Sequence, residues 1–367
     1  MKKRIISLVL ALFMLSAMAV PALASTDATA WAVGEPYYTA ELADLLSKES
    51  KLPENGEKNG TAEWGVFACS IDKLGEVDKN YPAYVESCVN ALGDKIELND
   101  VVRWLLALRS LQGNSAQSVI AGKLLETLLA WNFTKETGTW GIAYALIVFD
   151  AYKIESEERN ALRSILFEAQ HEDGGYNYQL KISAEDQYSK DSDPDTTAAV
   201  LTALAPYRAE EKTAVVIQKA IAYLKSVQLE SGGFGMFGES ADSAAQVIIA
   251  LCSLGLDPRG ADMLSKSGKS MVDSMESFRQ KDHSVEGYDK MFSGYQVLLA
   301  LTALHRFDEK QGGVFVFDST TVDDKTPSTV VETALWVKIA LGVGGVVLIV
   351  GAVLVIVVVV SRKKKRA

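Results

Sequence analysis

Two kinds of helical pattern alternate along most of the chain. One kind is apolar on nearly every face, as in residues 145–149 (Ala-Leu-Ile-Val-Phe), and a helix of this kind must be buried. The other kind has one apolar stripe and charges elsewhere, as in residues 156–170, which is typical of a helix that covers a core. Segments of the two kinds take turns between Tyr37 and Phe307. The pattern therefore predicts helical hairpins, each with one buried and one outer helix.

Six hairpins of this kind have two possible arrangements. They close into a ring, with apolar helices inside and amphipathic helices outside, or they stack into an open superhelix. Small or short side chains hold equivalent places in the apolar segments, where they let neighbouring helices approach closely: Ser70, Ala107, Val148, Ala203, Ala250 and Ala300. Neither end shows a polar capping repeat. We therefore predict an all-α fold, an α/α6 toroid over residues 61–317, with its first outer helix in residues 25–60.

A glycine-rich turn is repeated between hairpins. Gln170–Tyr176 reads Gln-His-Glu-Asp-Gly-Gly-Tyr and Gln228–Phe234 reads Gln-Leu-Glu-Ser-Gly-Gly-Phe. Gln280 with Gly287 and Tyr288 is a looser third copy. An acidic helix start follows the first copy at residues 193–197, Asp-Pro-Asp-Thr-Thr, with aspartate at the N-cap and proline at the first helical position. Residues 311–317 (Gln-Gly-Gly-Val-Phe-Val-Phe) predict a short strand-like seal after the last hairpin.

These turns resemble the prenyltransferase and squalene-cyclase repeat family, whose turn is Gln-x-x-x-Gly-Gly-aromatic. The resemblance spans about Trp64 to Phe317, and the chain also resembles secreted Gram-positive surface proteins with this terpenoid cyclase-like toroid. It implies the toroid fold far more specifically than it implies an activity, because one fold hosts many functions. Members of the family include terpene cyclases, prenyltransferase subunits, complement-type thioester domains and cobalamin carriers.

The resemblance also implies candidate chemistry. The acid motif of class II terpene cyclases falls on residues 193–198 and places their proton donor on Asp195, although Thr196 stands where the motif has a further aspartate. The zinc ligands of the prenyltransferases and the Cys-Gly-Glu-Gln of thioester proteins have no match here. A glycosidase on such a toroid needs two carboxylates at a fixed separation. Candidates for that pair are Glu172, Asp173, Asp191, Asp193, Asp195 and Asp242.

The repeated turns and helix starts should gather at one mouth of the ring. We predict that a small-molecule ligand or surface partner binds there, and the alternatives are a cyclase-like enzyme with Asp195 as general acid and a structural or adhesion module. The predicted ligand-binding residues are Asp173, Tyr176, Tyr178, Asp191, Asp193, Phe234, Asp242 and Tyr288. No metal site is predicted, because the acidic stretch 185–195 lacks the spacing of a calcium loop. The cofactor, if any, is unknown.

Both ends of the chain have the pattern of membrane-directed segments. Residues 1–24 combine a basic start, an apolar run and Ala-Leu-Ala, which predicts a secretory signal peptide. Residues 339–360 are 22 residues without a charge, long enough to cross a bilayer. We predict a stalk at 318–335, a transmembrane helix at 336–361 and a basic cytoplasmic tail at 362–367. The toroid would then be extracellular, on a single-pass protein of the cell membrane.

Charge and cysteine content limit the possible partners. Nine of the 37 basic residues lie in the two end segments, so the intervening region has 28 basic and 47 acidic residues and a net charge of −19. A surface of this kind repels nucleic acid. The three cysteines are an odd number and do not form a disulfide framework. Cys69 and Cys88 could pair across a hairpin, but all three are more simply core residues.

The predicted topology is tested by protease treatment of intact cells. We expect the protease to release the toroid and to leave the basic tail protected, because the tail would lie on the cytoplasmic side. Immunoblots against tags at the two ends of the mature chain would show this. Protection of both tags in cells that cleave a known surface protein would contradict the orientation.

Overall fold

The computed structural model describes residues 38–49, 51–54, 56–111, 119–182 and 187–317. These ranges contain twelve α-helices and no β-strand, only isolated bridges in turns. The outer helices are α1 (Thr39–Glu49), α3 (Tyr81–Leu92), α5 (Val119–Leu129), α7 (Glu157–Glu168), α9 (Glu211–Val227) and α11 (Met271–Glu276). The inner helices are α2 (Gly60–Ser70), α4 (Leu98–Ser110), α6 (Thr139–Ala151), α8 (Pro194–Leu204), α10 (Ala241–Leu254) and α12 (Lys290–Asp308).

The inner helices form a closed ring. Each inner helix packs on the next one along the chain, and α12 packs back on α2. The outer helices pack around them, for example α7 on α6 and α11 on α10. The predicted α/α toroid is therefore confirmed, and the open superhelix is excluded. Because an outer helix returns the chain each time, the inner helices run parallel and all begin at one end, which we call the N-terminal mouth.

Burial follows the two hydrophobic patterns. In α6 every residue is buried except Trp140 and Asp150. In α7 only Leu162 and Leu166 are buried, and they lie one turn apart on a single face. The helix that is apolar all round thus lies inside, and the striped helix lies outside.

The spacing between glutamine and glycine that the two turns share has a direct structural reason. The Gln170 side-chain amide donates to the carbonyl of Gly174 in its own turn and to that of Val216 in α9, both at 2.9 Å. Gln228 makes the same pair of bonds in the second copy, to its own turn and to the next outer layer. Each glutamine therefore ties one hairpin to the following one through two hydrogen bonds to backbone carbonyls.

Glycine is required in these turns by both conformation and space. Gly174 and Gly232 have φ of +92° and +95°, which L side chains rarely adopt. A Cβ on Gly232 would also lie 2.2 Å from the carbonyl oxygen of Ser270. The turns can therefore approach the next layer only where a side chain is absent.

The third copy of the turn differs from the predicted one. His283 has φ of +66° where the other copies have glycine, and Val285 is buried where they have an aromatic residue. Tyr288 is fully exposed. The predicted copy, Gln280 with Gly287 and Tyr288, is therefore wrong, because this turn is made without the Gly-Gly pair and histidine tolerates the left-handed conformation.

The last outer helix is shorter than its sequence pattern suggests. The pattern favours a helix over residues 261–280, but α11 covers only Met271–Glu276. A 3₁₀ turn at Ala261–Met263 and a turn closed by Gly268 at φ of +77° occupy the preceding part. The Ser265 hydroxyl accepts from the backbone of Lys269, a local bond that competes with helix formation.

Residues 311–317, which we call the plug, enter the ring from the end opposite the N-terminal mouth. They form a turn and not the predicted strand. Phe315 stacks on Phe67 with centroids 5.3 Å apart and meets Tyr144 edge-to-face at 5.9 Å. Arg306 fixes the segment by donating to the carbonyls of Gly313 and Val316. The plug therefore fills part of the ring axis with aromatic side chains.

The predicted signal peptide, stalk, membrane span and tail lie outside the described residues. Within the described ranges no helix is both long and apolar enough to cross a membrane. Cys69, Cys88 and Cys252 are all buried and free, so Cys69 and Cys88 do not pair.

Two glycine variants test how the turns hold the layers together. Gly232→Ala and Gly268→Ala both place a side chain at positive φ, which costs about 1–3 kcal/mol. Only Gly232→Ala also drives a Cβ into backbone, since the space around Gly268 is open. We expect Gly232→Ala to lower the free energy of unfolding by about 1–3 kcal/mol more than Gly268→Ala, as overpacking does. Equal losses in urea titrations would contradict this account.

Candidate functional site

The start of α8 is built around an aspartate cap, as the sequence predicted. Asp193 accepts from the Asp195 and Thr196 amides at 3.3 and 2.9 Å and from the Thr196 hydroxyl at 2.5 Å. Its own amide donates to the carbonyl of Tyr176 at 2.7 Å, which joins the repeated turn to the helix start. Asp193 is therefore a structural residue whose oxygens are already occupied by the helix.

A half-buried tryptophan lies against this cap from the neighbouring helix. The Trp140 indole N–H donates to the Thr196 hydroxyl at 3.0 Å. Its ring stacks on Tyr144 with centroids 5.6 Å apart and an interplanar angle of 8°. Trp64 meets Tyr144 edge-to-face at 5.3 Å. An aromatic surface therefore borders the acidic start of α8 inside the N-terminal mouth.

Asp195 is the most perturbed acid at this mouth. Its side chain bonds to Ser243 of α10, but its Oδ1 is buried without a hydrogen-bond partner. Burial is the main cause that raises the pKa of Asp195 from 3.8 to about 7, and the charges of Asp193 and Asp242 add to the increase. Near neutral pH the group therefore exists as both acid and carboxylate.

Asp242 repeats the arrangement one helix further around the ring. Its Oδ2 accepts from the Ser293 hydroxyl of α12 at 2.9 Å, and its Oδ1 is buried without a partner. Burial raises the pKa of Asp242 above its usual value. The hydrogen bond from Ser293 lowers the pKa, and the charge of Asp289 raises it further. Two serines thus link the starts of α8, α10 and α12 and leave one oxygen unused on each of two carboxyl groups.

Acidic residues on the other side of the mouth are neutralised. The carboxylates of Glu63 and Asp100 are both bound by Arg103, and Lys58 contacts Asp100 at 2.8 Å. Tyr84 donates to Glu63 at 2.7 Å. By contrast, Asp195 and Asp242 form no ion pair within the described residues. Glu63, Asp100 and Arg103 therefore form a structural ionic cluster, whereas Asp195 and Asp242 are candidates for binding a ligand.

The other predicted ligand contacts fall into two groups. Tyr176 and Phe234 are buried in the core, so they pack the turns and do not face a ligand. Tyr178, Asp191 and Tyr288 are exposed around the mouth, and Asp173 is exposed and accepts from Ser192 at 2.8 Å. In the described ranges no group of three or more acidic, histidine or cysteine side chains is arranged to hold a metal ion.

Ser243 and Ser293 were not among the predicted site residues. They lie 48 and 51 residues from the acids they bind, on the next helix of the ring in each case. The sequence feature that could have identified them is their position, since each serine lies in the first turn of an inner helix, as Asp195 and Asp242 do. Only the ring closure shows that these first turns touch.

Comparison with known proteins supports the architecture. Neither a protein-family model nor a curated protein sequence matches the chain. Its structure is similar to that of an unsaturated glucuronyl hydrolase from Bacillus sp. GL1, described as responsible for the degradation of glycosaminoglycan. The TM-score is 0.51 at 13% identity, over 77% of this chain and 98% of that chain. At this identity the likeness shows the α/α toroid alone, and membership of the prenyltransferase and squalene-cyclase repeat family stays a prediction.

The raised pKa of Asp195 predicts a particular dependence of stability on pH. An acid with a higher pKa in the folded protein binds its proton more tightly there, so its contribution is complete below pH 3.8 and is lost as pH rises to about 7. Asp195→Asn mimics the protonated form, and we expect the variant to lack this loss. The measurement is the urea midpoint from pH 4 to 8, with the exposed Asp94→Asn as control.

Parallel pH profiles for the wild type and Asp195→Asn would contradict the burial of this acid. A change of profile in Asp94→Asn of the same size would show that the effect is not specific to the mouth.

Proposed function

We propose that this protein is a surface-anchored toroid that binds a neutral, hydroxyl-rich small ligand, such as a saccharide, at the N-terminal mouth. The observation that carries the proposal is the pair of unused oxygens, one on Asp195 and one on Asp242, both buried at the starts of adjacent inner helices. Buried polar atoms in proteins nearly always have a partner, so two such atoms on neighbouring helix starts favour a polar ligand.

The protonation of the two acids favours hydroxyl groups over charged ligands. Protonated Asp195 donates a hydrogen bond and a carboxylate accepts one, and a hydroxyl group can do both in return. An anionic ligand would meet two acids without a basic partner and would be repelled. The stacked rings of Trp140 and Tyr144 offer an apolar surface beside these polar groups. This combination of a few polar groups and an aromatic wall is typical of small-molecule sites.

The structural neighbour gives a reason to test saccharides first, since it acts in glycosaminoglycan degradation. The anchor and the outward orientation follow from the sequence patterns at the two ends. The plug lies at the end of the ring opposite Asp195 and Asp242. A C-terminal membrane span would therefore hold the N-terminal mouth away from the bilayer.

An enzyme that uses Asp195 as general acid is the second candidate. A pKa of about 7 is what efficient proton donation near neutral pH requires, and a second carboxyl group, Asp242, lies close enough to raise it. Such a pair suits hydrolysis of a glycosidic bond better than cyclisation of a polyene. A cyclase needs an apolar space in the ring axis, and Phe315 of the plug stacks on Phe67 there.

The binding proposal is tested by isothermal titration of the full chain in detergent. The ligand panel contains neutral mono- and disaccharides with uronic acids as charged counterparts. We expect a neutral saccharide to bind at pH 6 and to bind more weakly at pH 8, as Asp195 loses its proton. Asp195→Ala and Asp242→Ala should each weaken binding at least about tenfold, the effect of losing about 1.4 kcal/mol. Asp94→Asn should leave the affinity unchanged.

Three other outcomes would contradict the proposal of ligand binding at the N-terminal mouth. Turnover of a bound saccharide, lost in Asp195→Asn and falling above pH 7, would support the enzyme. Saccharide binding that is equally strong in Asp195→Ala and the wild type would show that the ligand does not bind at the N-terminal mouth. No binding by any member of the panel would favour the structural or adhesion module.

A further inference from the structure

A second concave site lies at the rim of the N-terminal mouth, between two neighbouring loops. The loop before α8 forms one side with Tyr188, and the loop before α10 forms the other with Phe237. Tyr223 of α9 and Pro194 of α8 lie at its base. The groove has a volume of about 360 Å³, which is within the range of small-molecule sites.

The two walls of the groove are aromatic and exposed. The rings of Tyr188 and Phe237 meet edge-to-face, with centroids 6.0 Å apart and an interplanar angle of 79°. The side chain of Phe237 is 84% exposed and that of Tyr188 is 47% exposed. At this exposure most of the Phe237 ring is accessible to a ligand. Two rings at nearly a right angle form a corner whose faces carry negative partial charge.

Acidic side chains lie in and around the groove. Asp191 lines it and is exposed. Burial is the main cause that raises the pKa of the Tyr223 hydroxyl, and the charges of four aspartates add to the increase: Asp173, Asp193, Asp195 and Asp191. Of the described side chains that line the groove, none is a lysine or an arginine. An aromatic corner beside an acid is complementary to a cation that also has apolar surface.

We propose that this groove binds a small organic cation, a molecule with a trimethylammonium group. The methyl groups would pack against the Tyr188 and Phe237 rings, and the positive charge would face Asp191. A bare metal ion fits poorly, because the walls offer carbon and not oxygen. A neutral ligand of the same shape would gain the packing but lose the attraction to the ring faces and to the carboxylate.

This site is distinct from the one proposed for saccharides. The groove is lined by Asp191, Tyr188 and Phe237 and not by Asp195 or Asp242. A failure to bind saccharides would therefore not contradict the binding of a cation in the groove. A failure to bind the cation would likewise not contradict saccharide binding at the mouth.

The experiment titrates the full chain in detergent with choline and with its neutral isostere 3,3-dimethylbutan-1-ol. We expect choline to bind at least about tenfold more tightly than the neutral compound, which corresponds to about 1.4 kcal/mol. Phe237→Ala and Asp191→Asn should each weaken choline binding at least about fivefold. Because both side chains are exposed, neither change should lower the melting temperature, so a loss of binding would not reflect unfolding.

Val119→Ala is the control, since Val119 is an exposed apolar residue at the start of the outer helix α5 and does not line the groove. It should leave choline binding within twofold of the wild type. Equal affinity for the neutral isostere, undiminished binding in Phe237→Ala, or an equal loss in Val119→Ala would overturn the proposal. Binding to phosphatidylcholine vesicles without binding to free choline would also overturn it, because the site would then be a membrane contact.

Discussion

Close contact between parallel inner helices is the constraint on which the rest of this structure depends. A ring of six helices closes only if α12 can pack on α2, and small residues make this possible. Gly65 of α2 is one example, since a Cβ there would lie 2.2 Å from the ring of Tyr295 in α12. Once the ring is closed, all inner helices begin at the same end, and their first turns must share a small area. The polar residues that start helices are thereby brought together without being neighbours in sequence.

This convergence explains why one mouth carries so many acids. Acidic residues stabilise helix N-termini through capping and through the helix dipole, so six parallel starts accumulate negative charge. Near α2 and α4 the charge is neutralised by Arg103 and Lys58. Near α8 and α10 it is relieved by partial protonation instead, with Asp195 close to pKa 7. The same structural preference for acids at helix starts therefore produces an ionic cluster in one place and, in another, two acids that form no ion pair within the described residues.

The opposite end of the ring is closed by the chain itself. Phe315 enters the axis and packs on Phe67 and Tyr144, while Arg306 binds both Asp72 and the plug carbonyls. The aromatic surface that faces the N-terminal mouth through Trp140 and Tyr144 thus rests on the plug. The aromatic contacts are therefore continuous from the plug to the N-terminal mouth.

The sequence by itself determined the all-α class, the alternation of buried and outer helices, and the cap at Asp193. These features depend on local properties: periodicity of 3.6 residues, glycine at positive φ and an aspartate before a proline. It did not determine the third turn, where His283 replaces glycine, or the length of α11, because tertiary packing overrode weak local preferences there. The sequence does not show whether Tyr176 and Phe234 lie on the surface or in the core. The packing of the turns against the next layer buries both. The bonds from Ser243 to Asp195 and from Ser293 to Asp242, and the unused oxygens beside them, join residues about 50 apart. Only closure of the ring decides such contacts, because no local pattern records which helix starts will meet.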